Sequence, residues 1–215
     1  MKDPHIAALF DLDGVLVDTE TVYTEFWSEM DRLFPTGVDN FAHVIKGSTL
    51  PKILSTYFHS EADRDEIRRL LKEQEENMRY VIFDGVMDFL RDLRAHGIPA
   101  AIVTSSGDKK MKRLFATNPG FREMFATVIT DSDVSRSKPD PEGYLLGASR
   151  LGRKGEECFV FEDSFAGLEA GRRAGATVVA LATTNPRSSL TGKADAVIDT
   201  FAGFDVDSML ALSRP

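Results

Sequence analysis

The sequence predicts an α/β fold: a Rossmann-like, doubly wound parallel sheet core with an inserted all-helical cap domain. Three observations predict it. From Asp84 onward, short apolar runs alternate with helical patterns. The stretch from Asp18 to about Phe83 carries helical stripes and no convincing strand. Four polar clusters each follow an apolar, strand-like run. The boundaries that follow are residues 1–17 and 84–215 for the core and residues 18–83 for the cap.

Taken in order, Ile6–Phe10 is the first strand, followed by Asp11-Leu12-Asp13-Gly14. In the cap, Val22, Phe26, Met30 and Leu33 form one helical stripe; Ile67, Leu70, Leu71 and Met78 form another. Val86, Phe89, Leu90 and Leu93 fall at helical spacing, with Gly97 as the stop. Pro99–Val103 then reads as a buried strand leading into Thr104-Ser105-Ser106, and Ala126–Thr130 as a strand running toward Ser137-Lys138-Pro139. Asp140-Pro141-Glu142 opens a helix, with a capping residue before a first-turn proline. Glu157–Phe161 precedes Glu162-Asp163-Ser164, where Asp163 or Ser164 caps a helix that ends near Gly175. Thr177–Leu181 and Ala194–Ile198 complete the sheet.

Composition narrows the classes. With 215 residues, 42% of them hydrophobic and 28% charged, the chain reads as globular rather than disordered. A net charge of −8 with no long basic run argues against nucleic acid or an anionic membrane as the main partner. The single cysteine, Cys158, sits in an apolar run and reads as a small buried hydrophobe. One cysteine allows no internal disulfide, which fits a reducing compartment. There is no room for a signal peptide before Asp11 and no window for a membrane span, so a soluble cytoplasmic protein is expected; a monomer is the default expectation, although no pattern in the sequence reads out oligomeric state.

In a parallel sheet, segments that directly follow strands lie along one rim, where α/β folds bind ligands. The four clusters would therefore meet although some 150 positions apart. Asp11 and Asp13, two apart at an extended strand end, can point the same way, and Gly14 lets the chain turn. One carboxylate can attack phosphorus, and a second can protonate the departing alcohol and then activate water. A solvated acidic turn is the competing interpretation. Glu162 and Asp163 weigh against it, because four carboxylates would repel one another without a cation, and an all-oxygen site suits Mg²⁺. Thr104 offers a hydroxyl, the amides from Ser105 onward can cradle an anion, and Lys138 supplies an ammonium. Taken singly, Thr104 is an ordinary turn residue and Lys138 a solvated lysine; their convergence after separate strands gives them meaning. His5, His43, His59 and His96 show no ligand spacing.

Asp11–Glu20, Val103–Ser106, Ser137–Tyr144 and Val160–Ala176 resemble, in order, the motifs of the haloacid dehalogenase-like hydrolase superfamily, over the whole chain. Within it the sequence looks most like the beta-phosphoglucomutase and small-metabolite phosphatase branch. The resemblance implies that Asp11 is the nucleophile and Asp13 the general acid and base. It also implies that Asp11, Asp163 and the Asp13 carbonyl hold Mg²⁺, with Glu162 supporting or joining them as a ligand, and that Thr104, Ser105 and Lys138 bind the phosphoryl group. The eponymous dehalogenases lack an acid two residues after the nucleophile, so Asp13 favours phosphate chemistry. Beta-phosphoglucomutases carry a histidine where Tyr23 aligns and an arginine near Leu50; both are replaced here, which favours hydrolysis over mutase chemistry. Glu20, Tyr23 and Lys46 are the candidate cap contacts to substrate. The expected activity is a Mg²⁺-dependent phosphatase for a small phosphorylated metabolite such as a sugar phosphate. A phosphosugar mutase, a phospho-accepting signalling module and a non-catalytic metabolite-binding protein are the rivals.

Overall fold

The computed structural model describes residues 5–45, 50–78 and 80–212. Among these, the chain runs β1 (Ala7–Phe10), β2 (Val17–Asp18), α1 (Glu20–Leu33), α2 (Phe41–Val44), α3 (Leu50–Tyr57), α4 (Glu61–Asn77), β3 (Val81–Ile82) and α5 (Val86–Ala95). It continues through β4 (Ala100–Val103), α6 (Asp108–Thr117), β5 (Thr127–Ile129), α7 (Glu142–Arg150), β6 (Cys158–Glu162) and α8 (Phe165–Arg173). β7 (Thr177–Leu181), α9 (Arg187–Leu190), β8 (Ala196–Ile198) and α10 (Val206–Leu210) close it. Two compact units result: Met1–Asp18 with Tyr80–Pro215, and Thr19–Arg79.

The first unit is built on a six-stranded sheet in the order β5-β4-β1-β6-β7-β8, parallel at every pairing. Strands β1, β4, β6 and β7 are buried along their whole length. Apart from Cys158, Glu162 and Thr177, their sequences are accordingly continuous in Ala, Val, Leu, Ile and Phe rather than alternating, as burial on two faces requires. One face packs Leu9, Val103, Val160 and Val178 against Tyr144, Ala148 and Leu168 from α7 and α8. Elsewhere Phe10 and Phe161, register partners on β1 and β6, stack with ring centroids 4.7 Å apart and meet Phe89 and Phe201. The chain moves outward from β1 through β4 to β5, then returns to β6 on the other side of β1. That reversal opens a crevice at the carboxyl ends of β1 and β6, where sheets of this kind bind ligands.

Helix punctuation follows local chemistry. Ser164 Oγ accepts from the Gly167 amide and caps α8. Asp140 Oδ1 accepts from the Glu142 amide at the start of α7. In the second unit, Ser60 caps α4, and Phe26, Trp27, Met30, Phe41, Ile53, Leu54, Ile67 and Leu71 form a core of their own.

Two expectations are corrected. The segment between Asp18 and Phe83 is not wholly helical, because Val81–Ile82 pairs antiparallel with Val17–Asp18. Strands of two residues are too short to show a period, so no pattern marks them. Leu33, the last member of the helical stripe read along α1, is 47% exposed at the helix end.

Candidate active site

β1 ends at Phe10, and the Asp11 amide still donates to the Phe161 carbonyl at 3.0 Å, which holds Asp11 at the mouth of the crevice. β6 runs one residue longer and places Glu162, then Asp163, beside it. One carboxylate oxygen from each of Asp11, Glu162 and Asp163 lies within 4.8 Å of the others, and all three residues are buried. Lys138 enters from the loop beyond β5. Its ammonium is in short contact with Asp11 Oδ1 and donates to Glu162 Oε1 at 2.6 Å and to the Val103 carbonyl at 3.2 Å. Those three acceptors match the three protons an ammonium carries.

Glu162 is saturated. Oε1 accepts from Lys138 and, at 3.0 Å, from the Tyr144 hydroxyl; Oε2 accepts from the amides of Asp163 and Ser164 and from Ser164 Oγ, at 2.9 to 3.0 Å. A Cβ on Gly167 would sit 1.7 Å from Glu162 Oε1, so the first turn of α8 closes on this carboxylate only because residue 167 has no side chain. Gly14 plays the same part nearby. Its φ is +75°, and a Cβ there would lie 2.1 Å from Asp163 Oδ2.

The cluster holds three carboxylates and one ammonium, and its electrostatics follow from that imbalance. Burial opposes the charge of Glu162, but Lys138 and the Ser164 donors outweigh it and hold the carboxyl below its ordinary value. Burial likewise opposes the charge of Lys138; Asp11 and Glu162 overcome it and keep the ammonium well above the usual lysine range. The surplus falls on the other two acids. Burial pushes Asp11 well up, with Lys138 opposing and Glu162 and Asp163 adding. Burial, then Glu162, pushes Asp163 up to about 7. A pocket that disfavours two of its own carboxylates is suited to a small dication, and its hard oxygen donors fit Mg²⁺. With Glu162 saturated, Asp11 and Asp163 are the side chains that would hold it.

Asp13 has different surroundings. β1 has already ended, so the alternation expected of a strand does not govern it. Its Oδ2 accepts from Ser106 Oγ at 2.9 Å, and Lys110 Nζ reaches Oδ1 and Oδ2 at 2.6 and 2.7 Å. Thr104, buried after β4, donates its amide to the Ile129 carbonyl, and its Oγ1 accepts from the Ser106 amide at 3.0 Å. Thr104, the exposed Ser105 and Lys138 line one cavity of about 240 Å³ that extends over Ile129, Val134 and Gly143.

In the second unit Glu20 and Tyr23 line a cavity of about 290 Å³ with Thr24, Trp27 and Glu75, and the Tyr23 hydroxyl donates to Glu75 at 3.2 Å. Lys46 lies outside the described residues.

Several residues escaped the sequence reading. Ser106 and Lys110 hold Asp13, and Tyr144 holds Glu162. The loop after β7 also clasps the site: the Thr183 hydroxyl donates to the Gly14 carbonyl, the Thr184 hydroxyl is buried against the Asp163 carboxylate, and Asn185 Nδ2 donates to the Asp163 carbonyl at 2.9 Å. That loop is a fifth polar cluster directly after an apolar strand, so the rule that found the other four finds it too.

Residues 7–175 match the model of the haloacid dehalogenase-like hydrolases. The chain belongs to that family. A validoxylamine A 7'-phosphate phosphatase from Streptomyces hygroscopicus subsp. limoneus is 32% identical over 85% of this chain and 88% of its own length. Hexitol phosphatase A from Escherichia coli is 35% identical over 80% of this chain and 81% of its own. Among solved structures, a hydrolase of this family from Deinococcus radiodurans, with bound phosphate and sodium, superposes over the full length of both chains with a TM-score of 0.82 and 26% identity. A putative beta-phosphoglucomutase from Thermotoga maritima gives 0.72 and 25%, covering 90% of this chain and 94% of that one. These relatives place the family member in the branch of beta-phosphoglucomutase-like proteins and small-metabolite phosphatases.

Proposed function

We propose that this chain is a Mg²⁺-dependent phosphatase that hydrolyses a small polyhydroxylated phosphate monoester, such as a sugar or polyol phosphate, through an aspartyl-phosphate on Asp11. Within its family it is a phosphoric monoester hydrolase. The observation that carries the finer proposal is the convergence of Asp11, Lys138, Glu162 and Asp163 at the crevice between β1 and β6, with Asp13 two residues from Asp11. Relatives named for validoxylamine 7'-phosphate, hexitol phosphates and fructose 1-phosphate support the substrate class.

Each residue then has a part. An Asp11 carboxylate oxygen attacks phosphorus and the bond from phosphorus to the alcohol oxygen breaks. The Asp13 carboxyl gives that oxygen its proton. Water then attacks the phosphorus of the acyl phosphate while the Asp13 carboxylate takes the water proton, which releases phosphate and restores Asp11. Lys138, fixed by Glu162, holds positive charge where the phosphoryl oxygens gather negative charge, and Thr104 with the amide of Ser105 offers further donors. Asp11, Asp163 and the Asp13 carbonyl are the groups that would hold Mg²⁺. When bound, the ion neutralises phosphoryl oxygens. Glu162 belongs to the support of this site, through Lys138 and the start of α8. Glu20 and Tyr23 are the proposed cap contacts to substrate.

The test is phosphate release from a panel of sugar, polyol, nucleotide and carboxylic phosphates with Mg²⁺. Wild type should act on one compound class, and Asp11→Asn should lose turnover entirely. Isomerisation that depends on a sugar bisphosphate, without phosphate release, would replace this reading by a mutase.

A further inference from the structure

Asp13 and Lys110 are 97 positions apart in sequence, yet the ammonium reaches both oxygens of the Asp13 carboxylate at 2.6 and 2.7 Å. Ser106 adds a third donor at 2.9 Å. The pair is neither on the open surface nor deep inside: the Lys110 side chain is 21% exposed and that of Asp13 32%. Lys110 is the third residue of α6, in its first turn. A cation there opposes the helix dipole, whose amino end favours negative charge. Local helix chemistry therefore disfavours a lysine at this position, and the contact it makes is with a residue on the loop after β1. A side chain that breaks a local rule at a site rim points to a role in the site.

We infer that Lys110 is a positioning residue for Asp13, an inference that rests on the acid–base role proposed for Asp13 above. Two fixed elements set the carboxylate. Ser106 follows β4 directly, and its amide is tied to Thr104 Oγ1. Lys110 stands on α6, whose first turn is closed by backbone bonds from Lys110 and Met111 back to Gly107. Together they engage both carboxylate oxygens. Without Lys110, the carboxylate loses a charge-assisted contact to each of its oxygens and is held less firmly. Proton transfer depends on placement within hydrogen-bond reach, so the loss falls on steps that use Asp13 and spares steps that do not.

The leaving group separates those steps. An alkoxide leaves only with a proton, whereas nitrophenolate leaves without one. The experiment compares wild type, Lys110→Met and Lys110→Arg on two substrates: the alkyl phosphate from the panel that is turned over fastest, and p-nitrophenyl phosphate. Lys110→Met should lower kcat on the alkyl phosphate by roughly tenfold to a hundredfold, the range expected for one charge-assisted hydrogen bond, with KM little changed. The single-turnover burst of nitrophenolate should keep its wild-type rate constant. Lys110→Arg should recover part of kcat. A raised KM with unchanged kcat would overturn the inference and make Lys110 a substrate contact. So would an equal slowing of the nitrophenolate burst. Wild-type kcat on the alkyl phosphate in Asp13→Asn would instead sink the acid–base role itself, a result read in a different variant.

Discussion

Asp11 and Asp13 stand two residues apart, and their surroundings differ in kind. Asp11 lies in a buried cluster where carboxylates outnumber ammonium groups, so burial and like charge push it toward the protonated form. Asp13 lies on a partly exposed rim, where Lys110 and Ser106 are among its partners. Surplus negative charge under burial is what a dication would relieve. A matched pair near water is what holds one group in place. The comparison assigns structural energy to the first region and placement to the second, and each can be perturbed separately.

The largest effect belongs to the buried cluster. Lys138→Met removes the cation and leaves Glu162 buried among donors and acidic neighbours; losing one partner of a buried pair costs about 3–5 kcal/mol. Chemical denaturation should register that loss, and activity should vanish. Retained stability would mean that the cluster is not organised around this ammonium.

A smaller effect separates Asp163 from its solvent-exposed counterparts. Burial, then Glu162, pushes the Asp163 carboxyl up to about 7 in the folded protein against an ordinary 3.8. The folded state therefore holds a proton that the unfolded state has released across that window. That contribution to the stability of metal-free protein is complete below the lower value and is lost as pH rises through the upper one, by a few kcal/mol at most. Thermal unfolding of metal-free protein at about pH 5 and about pH 8 should show the decline, and Mg²⁺ should raise Tm more at the higher pH. An equal Mg²⁺ shift at both values would contradict the protonation assigned to Asp163.

The smallest effect is at the rim. Ser106→Ala removes one donor to Asp13 and leaves Lys110 in place. It should lower kcat several-fold and leave thermal stability within about 0.5 kcal/mol of wild type. A stability loss as large as that of Lys138→Met would remove the distinction between the two regions.

Much of this was legible in the chain. Parallel strands bury both faces, so the apolar stretches 100–103, 158–161 and 178–181 of β4, β6 and β7 show in the sequence, and whatever follows them must reach one rim. That rule brought Asp11, Thr104, Lys138, Glu162 and Asp163 to neighbouring strand ends. It did not reveal who holds whom. Lys110 looks like any lysine of a polar helix, and only the packing of α6 beside the first loop gives it Asp13. Glu162 reads as a ligand on paper, but its oxygens are occupied by Lys138, Tyr144 and Ser164. Gly167 carries no signal either, since its value lies in the absence of a Cβ beneath a carboxylate that comes from the preceding strand.

The most direct measurement is mass analysis of protein quenched in acid during turnover, using wild type and Asp13→Asn with Mg²⁺. With p-nitrophenyl phosphate, whose leaving group departs without a proton, the proposed chemistry predicts an added phosphoryl group on the peptide that contains Asp11, more abundant in Asp13→Asn because water attack is slowed. Phosphate release by wild type with no such adduct in either protein, or with the adduct on another residue, would contradict it.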